Sequence, residues 1–328
     1  MKKIFGFIAL AILSVSAFAQ TCVQTDVNLT GTASVTLTRY EHKVLTGVFS
    51  VAEDRHVLFS QGNLQYQAST DTWRFAENQW SRIGAAAGNT TATNRDTQAA
   101  WIDLFAWGTS GWDSDGEGIT SDPTAISGTW LEQDLTGDYA DADWAWYNAI
   151  INGGVDADGP KNHIWRTLTI DEWTYLLRTR DNSSNLLGFG SLMGVNGIYL
   201  LPDSWDWNDV DEESVLRTAA GFTWTDYATA QAYTNNVIAS SDDGKALWAA
   251  MEEAGAVFLP TTGFGAESDR TVKNAPSRGC YVSSTLSTKE TGKFRYVLFT
   301  NSGSLSSGTS TTLDIGTRCA VRAVYDLD

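Results

Sequence analysis

The chain has few of the residues on which catalysis and covalent cross-linking most often depend. Its 328 residues include three cysteines, three histidines and five prolines. His42, His56 and His163 fall in different predicted elements, and no Gly-x-Ser-x-Gly motif accompanies them. Because neither a nucleophile–histidine pair nor a metal triad can be recognised, the sequence predicts a protein that is not an enzyme and has no organic cofactor.

Basic residues are also scarce, since 22 Lys and Arg stand against 39 Asp and Glu and the formal net charge is −17. A surface of this sign repels nucleic acid and anionic lipid, so we predict no nucleic-acid partner. After the first residues no apolar run is long enough to cross a bilayer, and we expect no membrane span in the mature chain.

The N-terminus has the pattern of a secretory signal peptide. Lys2 and Lys3 precede an apolar stretch at residues 4–15, and Ala17-Phe18-Ala19 is a small-residue cleavage site. We therefore predict a signal peptide at residues 1–19 and an exported protein in the periplasm, on the outer surface or outside the cell. Cys22 raises the alternative of a lipid anchor, although Gln20 and Thr21 do not fit a lipoprotein signal.

The remaining chain is predicted to form one domain at residues 47–328, preceded by a tether or leading strand at residues 20–46. Short strand patterns occur at residues 56–60, 64–67, 197–201, 256–259, 281–284, 294–299 and 320–324. Cys280 and Cys319 lie in two of these strands. They could form a disulfide in an oxidising compartment, and buried free thiols are the alternative.

Helices are few and carry local start signals. Thr169 and Glu172 form a capping box for a helix that ends near Arg180, and a second helix runs from Ser241 to Gly255. A shorter one is predicted around residues 142–150. Long polar segments at residues 84–98, 109–138 and 204–236 are predicted loops. The fold class is therefore α+β.

Two stretches resemble a known family. Residues 166–175 read Arg-Thr-Leu-Thr-Ile-Asp-Glu-Trp-Thr-Tyr, similar to a segment of the formylglycine-generating enzyme (sulfatase-modifying factor) family, and residues 320–324 resemble its closing strand. The paired catalytic cysteines of that family have no counterpart at residues 279–324. The resemblance implies a C-type-lectin-like domain with a small twisted mixed sheet, two main helices and long loops.

A wider resemblance is to uncharacterised exported proteins of Bacteroides-type gut bacteria. The matching segments lie at residues 57–66, 72–75, 101–105, 143–144, 148–150, 200–205, 255–260 and 279–285. Val282 is a departure, because members of that group usually have Trp there. Both resemblances imply binding in place of chemistry, although an analogy of fold is a weak argument for function.

Tryptophan is the unusual abundance, with 14 residues. Those in or beside Gly/Asp-rich loops are the candidate ligand-binding residues Trp107, Trp112, Trp130, Trp205, Trp207 and Trp224. Their rings could stack on a sugar or contact a protein, and the alternative is that they pin the loops onto the domain.

Acidic clusters suggest two further sites. Asp113, Asp115 and Glu117 alternate around a glycine, as in a loop that wraps calcium, although Thr124 occupies the position of the last EF-hand ligand. Calcium is therefore the only cofactor we consider. The acids at residues 203–211 could form a two-carboxylate glycosidase site, and a solvated surface is the alternative.

The combined prediction is an exported, non-catalytic binding module whose loops at residues 109–138 and 204–236 recognise a glycan or a surface protein. A structural subunit or tip component of a surface assembly is the alternative from another class. A receptor diversified by a retroelement is a further alternative.

Overall fold

The computed structural model describes residues 25–28, 34–37, 44–90, 99–112, 129–155, 159–266, 271–308 and 311–327. The strands in this part of the chain are β1 (Thr25–Asn28), β2 (Ser34–Leu37), β3 (Val44–Ala52), β4 (Arg55–Ser60), β5 (Leu64–Gln67), β6 (Thr72–Phe75), β7 (Arg166–Thr167), β8 (Leu187–Leu192), β9 (Val195–Leu200), β10 (Asn236–Ile238), β11 (Val257–Pro260), β12 (Phe264–Gly265), β13 (Val272–Lys273), β14 (Arg278–Leu286), β15 (Lys293–Thr300), β16 (Leu305–Ser306), β17 (Thr312–Asp314) and β18 (Ala323–Asp326).

Helices are fewer than strands among the described residues. They are α1 (Ala87–Thr90), α2 (Trp144–Tyr147), α3 (Ile170–Thr174), α4 (Trp207–Asp211), α5 (Val215–Ala219) and α6 (Asp242–Glu253). In the described part of the chain, 3₁₀ turns lie at Ala68–Thr70, Thr129–Glu132 and Gly137–Ala142, and a π turn lies at Tyr175–Thr179. The predicted α+β class is confirmed.

Three four-stranded sheets and three hairpins organise the described strands. One sheet has the order β3-β4-β18-β7 and is antiparallel. A second has the order β10-β8-β9-β11, and its β10–β8 pair is parallel, which makes it mixed. The third consists of β14-β15-β16 with β17 also on β15, and the pairs β1–β2, β5–β6 and β12–β13 stand as two-stranded sheets.

The closing strand lies in the middle of the fold. β18 pairs with both β4 and β7, and just before it Ala320 forms a parallel bridge with Tyr281 of β14. The amide N–H of Val282 donates to the carbonyl of Ala320 at 3.0 Å. The predicted strand at residues 281–284 lies within β14, and the predicted strand at residues 320–324 overlaps the first two residues of β18.

Alternation along the strands divides the core into three apolar clusters. On β14 and β15, Tyr281 and Val297 belong to the first cluster, whereas Cys280 and Tyr296 belong to the second. On β9 and β11, residues of the first cluster likewise alternate with residues of the third, such as Tyr199. Since successive side chains of a strand point to opposite faces, these two sheets separate the three clusters.

The two main helices begin at the predicted residues. The Thr169 side chain accepts from the Glu172 amide, and the Glu172 carboxylate accepts from the Thr169 amide, which completes the capping box of α3. The π turn then extends the helical stretch to Thr179. At α6, the Ser241 hydroxyl accepts from the Gly244 amide at 3.1 Å. Gly255 follows with φ +94°, a left-handed conformation that glycine adopts without a Cβ clash.

Other boundaries differ from the prediction. The segment at residues 204–236 was predicted as a loop but contains α4, α5 and the start of β10. These helices have five residues each, too few to produce a recognisable helical period. β3 crosses the predicted boundary at residue 46, and the β1–β2 hairpin lies within the predicted leading segment.

The leader lies outside the described residues, so the signal peptide at residues 1–19 and the lipid alternative at Cys22 stay predictions. Among the residues that the structure describes, no helix has both the length and the apolar character that a membrane crossing requires.

Candidate functional site

The first group of predicted tryptophans lies on the second core cluster. Trp107 is buried, and its ring stacks on that of Phe294 with centroids 5.2 Å apart. Trp112 is partly buried and packs against the same cluster. The side chain of Trp130 lies outside the described residues. In this conformation Trp107 offers no ring to a ligand, because the fold already covers both of its faces.

The second group forms a ladder of rings on the third cluster. Trp205 and Trp207 pack edge to face at 5.0 Å, and Trp207 contacts Trp224 at 5.9 Å. Arg217 lies over the Trp207 ring at 4.9 Å, and the Trp224 indole N–H donates to the Asn185 carbonyl at 3.2 Å. These contacts favour the interpretation that the three rings pin the segment at residues 204–236 onto the domain.

The acids of this segment also have structural partners. The Asp203 carboxylate accepts from the buried Arg180 guanidinium at 2.7 Å and from the Ser50 amide of β3 at 2.7 Å. Asp206 caps α4, and Asp211 accepts from the amide of Arg217 at 2.8 Å. Three of the four clustered acids therefore hold the local fold, a structural role that differs from both the solvated surface and the pair of reactive carboxylates considered from the sequence.

The calcium prediction cannot be compared with the fold, because Asp113, Asp115 and Glu117 lie outside the described residues. Within the described ranges, no group of three or more His, Cys, Asp or Glu side chains could hold a metal ion. Calcium binding at residues 113–117 therefore stays a prediction. Following the thermal unfolding midpoint during a calcium titration tests it, because a bound ion raises that midpoint.

Cys280 and Cys319 are buried neighbours with free thiols in this structure. The amide of Ala320 donates to the Cys280 carbonyl at 3.0 Å, which sets the two backbones side by side. Burial and the adjacent Cys280 thiol raise the pKa of Cys319 well above its ordinary value. The structure thus has the buried-thiol alternative, with the pair close enough to interact.

The segment at residues 109–138 is anchored at both ends. At its start, the Trp144 indole N–H donates to the Thr109 hydroxyl at 3.0 Å. Just past its end, the buried Asp143 carboxylate accepts from the amide and hydroxyl of Thr167 at 2.6 and 2.9 Å and from the Ala145 amide at 3.0 Å. Burial raises the pKa of Asp143 to about 6.

An open polar cleft of about 430 Å³ lies where the end of this segment meets the last residues of β14. Its lining consists of Glu132, Gln133, Asp134, Thr136, Tyr139, Leu286, Ser287 and Thr288. This volume is within the usual range of small-molecule sites. The sequence predicted that the segment at residues 109–138 is a binding loop, and it gave no signal for Tyr139 or for residues 286–288.

Backbone contacts fix the walls of the cleft. The Asp134 Oδ1 atom accepts from the Leu286 amide at 2.6 Å, and the Leu135 amide donates to the Ser284 carbonyl at 2.8 Å. The buried Leu135 side chain packs into the second core cluster between these bonds. Opposite, the Ser287 hydroxyl accepts from the amides of Lys289 and Glu290. The site is therefore held without a ligand.

The polar side chains of the cleft are available for a ligand. Glu132, Gln133, Thr136 and Thr288 are exposed, and within the described ranges none of them makes a side-chain hydrogen bond. Tyr139 is half-buried and packs partly against the second cluster, so its position is held by the core. An aromatic residue beside an unengaged carboxylate, a carboxamide and two hydroxyls can bind a hydroxyl-rich ligand.

Comparison of the chain with family models, with curated proteins and with solved structures found no match.

Proposed function

We propose that this chain is an exported, non-catalytic binding module with a C-type-lectin-like fold, and that the cleft at residues 132–139 and 286–288 recognises a glycan. The observation that carries the proposal is this open cleft, whose walls are anchored through Asp134 and Ser287, whereas the side chains of Glu132, Gln133, Thr136 and Thr288 have no partner among the described residues. Polar side chains beside an aromatic ring suit a sugar, because the sugar hydroxyls need hydrogen-bond donors and acceptors and the face of the sugar ring needs an apolar surface.

The fold part of the proposal has separate support. The capping box of α3 falls inside the segment that resembles the formylglycine-generating enzyme family, and the closing strand lies centrally beside β14. Long segments between a mixed sheet and two main helices agree with a scaffold that presents loops. The proposed scaffold implies no reaction, because function depends on the site and not on the fold.

The experiment is to probe an array of glycans and bacterial surface proteins with the purified chain lacking residues 1–19. Tyr139→Ala should lower the affinity for the bound glycan about tenfold, because it removes the ring that lines the cleft. Tyr147→Ala is the matched control, since Tyr147 is also half-buried but does not line the cleft. Equal affinities for both variants and the unchanged chain would contradict this site.

A structural subunit of a surface assembly is the second candidate. The β1–β2 hairpin forms a two-stranded sheet of its own, and such a hairpin can pair with an edge strand of another molecule. Light scattering should then give a smaller mass after deletion of residues 20–43. An unchanged mass would remove this candidate.

A further inference from the structure

The cleft carries charge of one sign. Glu132 and Asp134 are the two charged residues of its lining, both are exposed acids, and the described lining contains no Lys, Arg or His. The Asp134 Oδ1 atom is engaged by the Leu286 amide, which leaves Oδ2 for a ligand.

The turn beside the cleft contains two bases, Lys289 and Lys293, and neither belongs to the lining. Lys293 lies 3.4 Å from the Glu290 carboxylate and 3.9 Å from that of Asp314. Lys289 is exposed and follows the lining residue Thr288, without belonging to the lining itself. The described lining therefore presents two carboxylates and no base, and this excess of negative charge favours a cationic group on the ligand.

The polar groups of the cleft favour a ligand that donates hydrogen bonds. An ionised carboxylate only accepts, whereas the amide of Gln133 and the hydroxyls of Thr136 and Thr288 both donate and accept. Hydroxyl and ammonium groups of a ligand can donate hydrogen bonds to these acceptors. A carboxylate or sulfate group would bring further acceptors against Glu132 and Asp134.

From these observations we infer that the cleft selects its sugar by charge, binding amino sugars most tightly, neutral hexoses less tightly and acidic sugars most weakly. The inference rests on the proposed glycan recognition and specifies its ligand class. One unit charge within a few ångströms of two solvent-exposed carboxylates changes affinity about fivefold to tenfold at low ionic strength, and salt reduces the difference.

The test is a calorimetric titration with three oligosaccharides of equal length, composed of hexosamine, hexose or hexuronate, at low and high salt. The unchanged chain should rank them in that order, with a spread that narrows as salt is added. Glu132→Gln combined with Asp134→Asn should abolish the ranking. The asparagine keeps an oxygen for the Leu286 amide, so the wall of the cleft is preserved.

Glu53→Gln combined with Asp54→Asn is the matched control, because both acids are exposed in the β3–β4 turn and the change in net charge is the same. This control should keep the ranking. Hexuronate bound as tightly as hexosamine by the unchanged chain would overturn the inference while leaving glycan recognition intact. A control that loses the ranking equally would also overturn it. If none of the three sugars is bound, the proposed glycan recognition fails together with the inference.

Discussion

Two acidic segments differ in how far the fold engages their acids. At residues 203–236 the aromatic rings pack on one another, and Asp203, Asp206 and Asp211 have partners within the chain. At residues 132–139 the acids are exposed, and Glu132 has no side-chain partner among the described residues. The comparison indicates that a polar side chain is available for binding where the fold itself does not engage it.

The largest expected effect on stability is that of Trp207→Ala. Removing this ring leaves a gap between Trp205, Trp224 and Phe222, and we expect the free energy of unfolding to fall by about 3 kcal/mol. Urea denaturation measures it. Trp207→Phe should cost less because part of the ring remains. Glycan affinity at the cleft should be unchanged, and a selective loss of that affinity would reverse our comparison.

Next in size is Asp203→Ala, which leaves the buried Arg180 guanidinium without its carboxylate and frees the Ser50 amide. Since Asp203 is partly exposed, we expect a loss of about 2 kcal/mol in the free energy of unfolding. Asp209→Ala is the control from the same acidic cluster. Asp209 is exposed and has no side-chain partner within the described ranges, so its change should stay within about 0.5 kcal/mol. Equal losses would contradict the distinction between engaged and unengaged acids.

A pH dependence is expected from Asp143, which anchors the chain just beyond the cleft. Burial raises its pKa from 3.8 to about 6, so the folded protein binds this proton more readily than the unfolded chain does. Its contribution to the free energy of unfolding is therefore largest below about pH 4 and is lost as pH rises through about 6.

Comparing the unchanged chain with Asp143→Asn between pH 4 and 7 isolates this contribution. The free energy of unfolding of the unchanged chain, relative to that of Asp143→Asn, should rise by about 2 to 3 kcal/mol as the pH falls over that range. A difference that does not vary with pH would show that the folded and unfolded pKa values are the same.

The smallest effect on stability is expected in the cleft. Glu132→Gln should change the free energy of unfolding by less than about 0.5 kcal/mol, because no described contact depends on the carboxylate. The same variant should bind hexosamine oligosaccharide more weakly, which a calorimetric titration measures. A large loss of stability would place Glu132 with the structural acids of residues 204–236.

Elements with local signals were predicted well. Strand β5 has the predicted bounds Leu64–Gln67, and α6 is capped by Ser241 as expected. Short helices held by side-chain contacts outside their own turns were missed. α5 carries Arg217, which contacts Asp211, Ser214 and the Trp207 ring, and the residues alone do not reveal such pairings.

The tryptophans show the same limit within one residue type. Trp107 and Trp205 both follow the description of a loop aromatic in the sequence, yet Trp107 is buried on Phe294 and Trp205 is half-buried against Trp207. The composition predicts that many tryptophan rings contribute to the packing or to a binding surface. It does not predict whether a neighbouring element covers them, since that element can be more than a hundred residues away.

By itself, the sequence determined the α+β class, the starts of α3 and α6 and most core strands, because capping, left-handed glycine and side-chain alternation act within a few residues. Only the tertiary structure decided which polar groups have partners. It brought residues 132–139 against residues 286–288 and placed Arg180 beside Asp203. Such contacts depend on how the layers pack, and packing brings together residues that are distant along the chain.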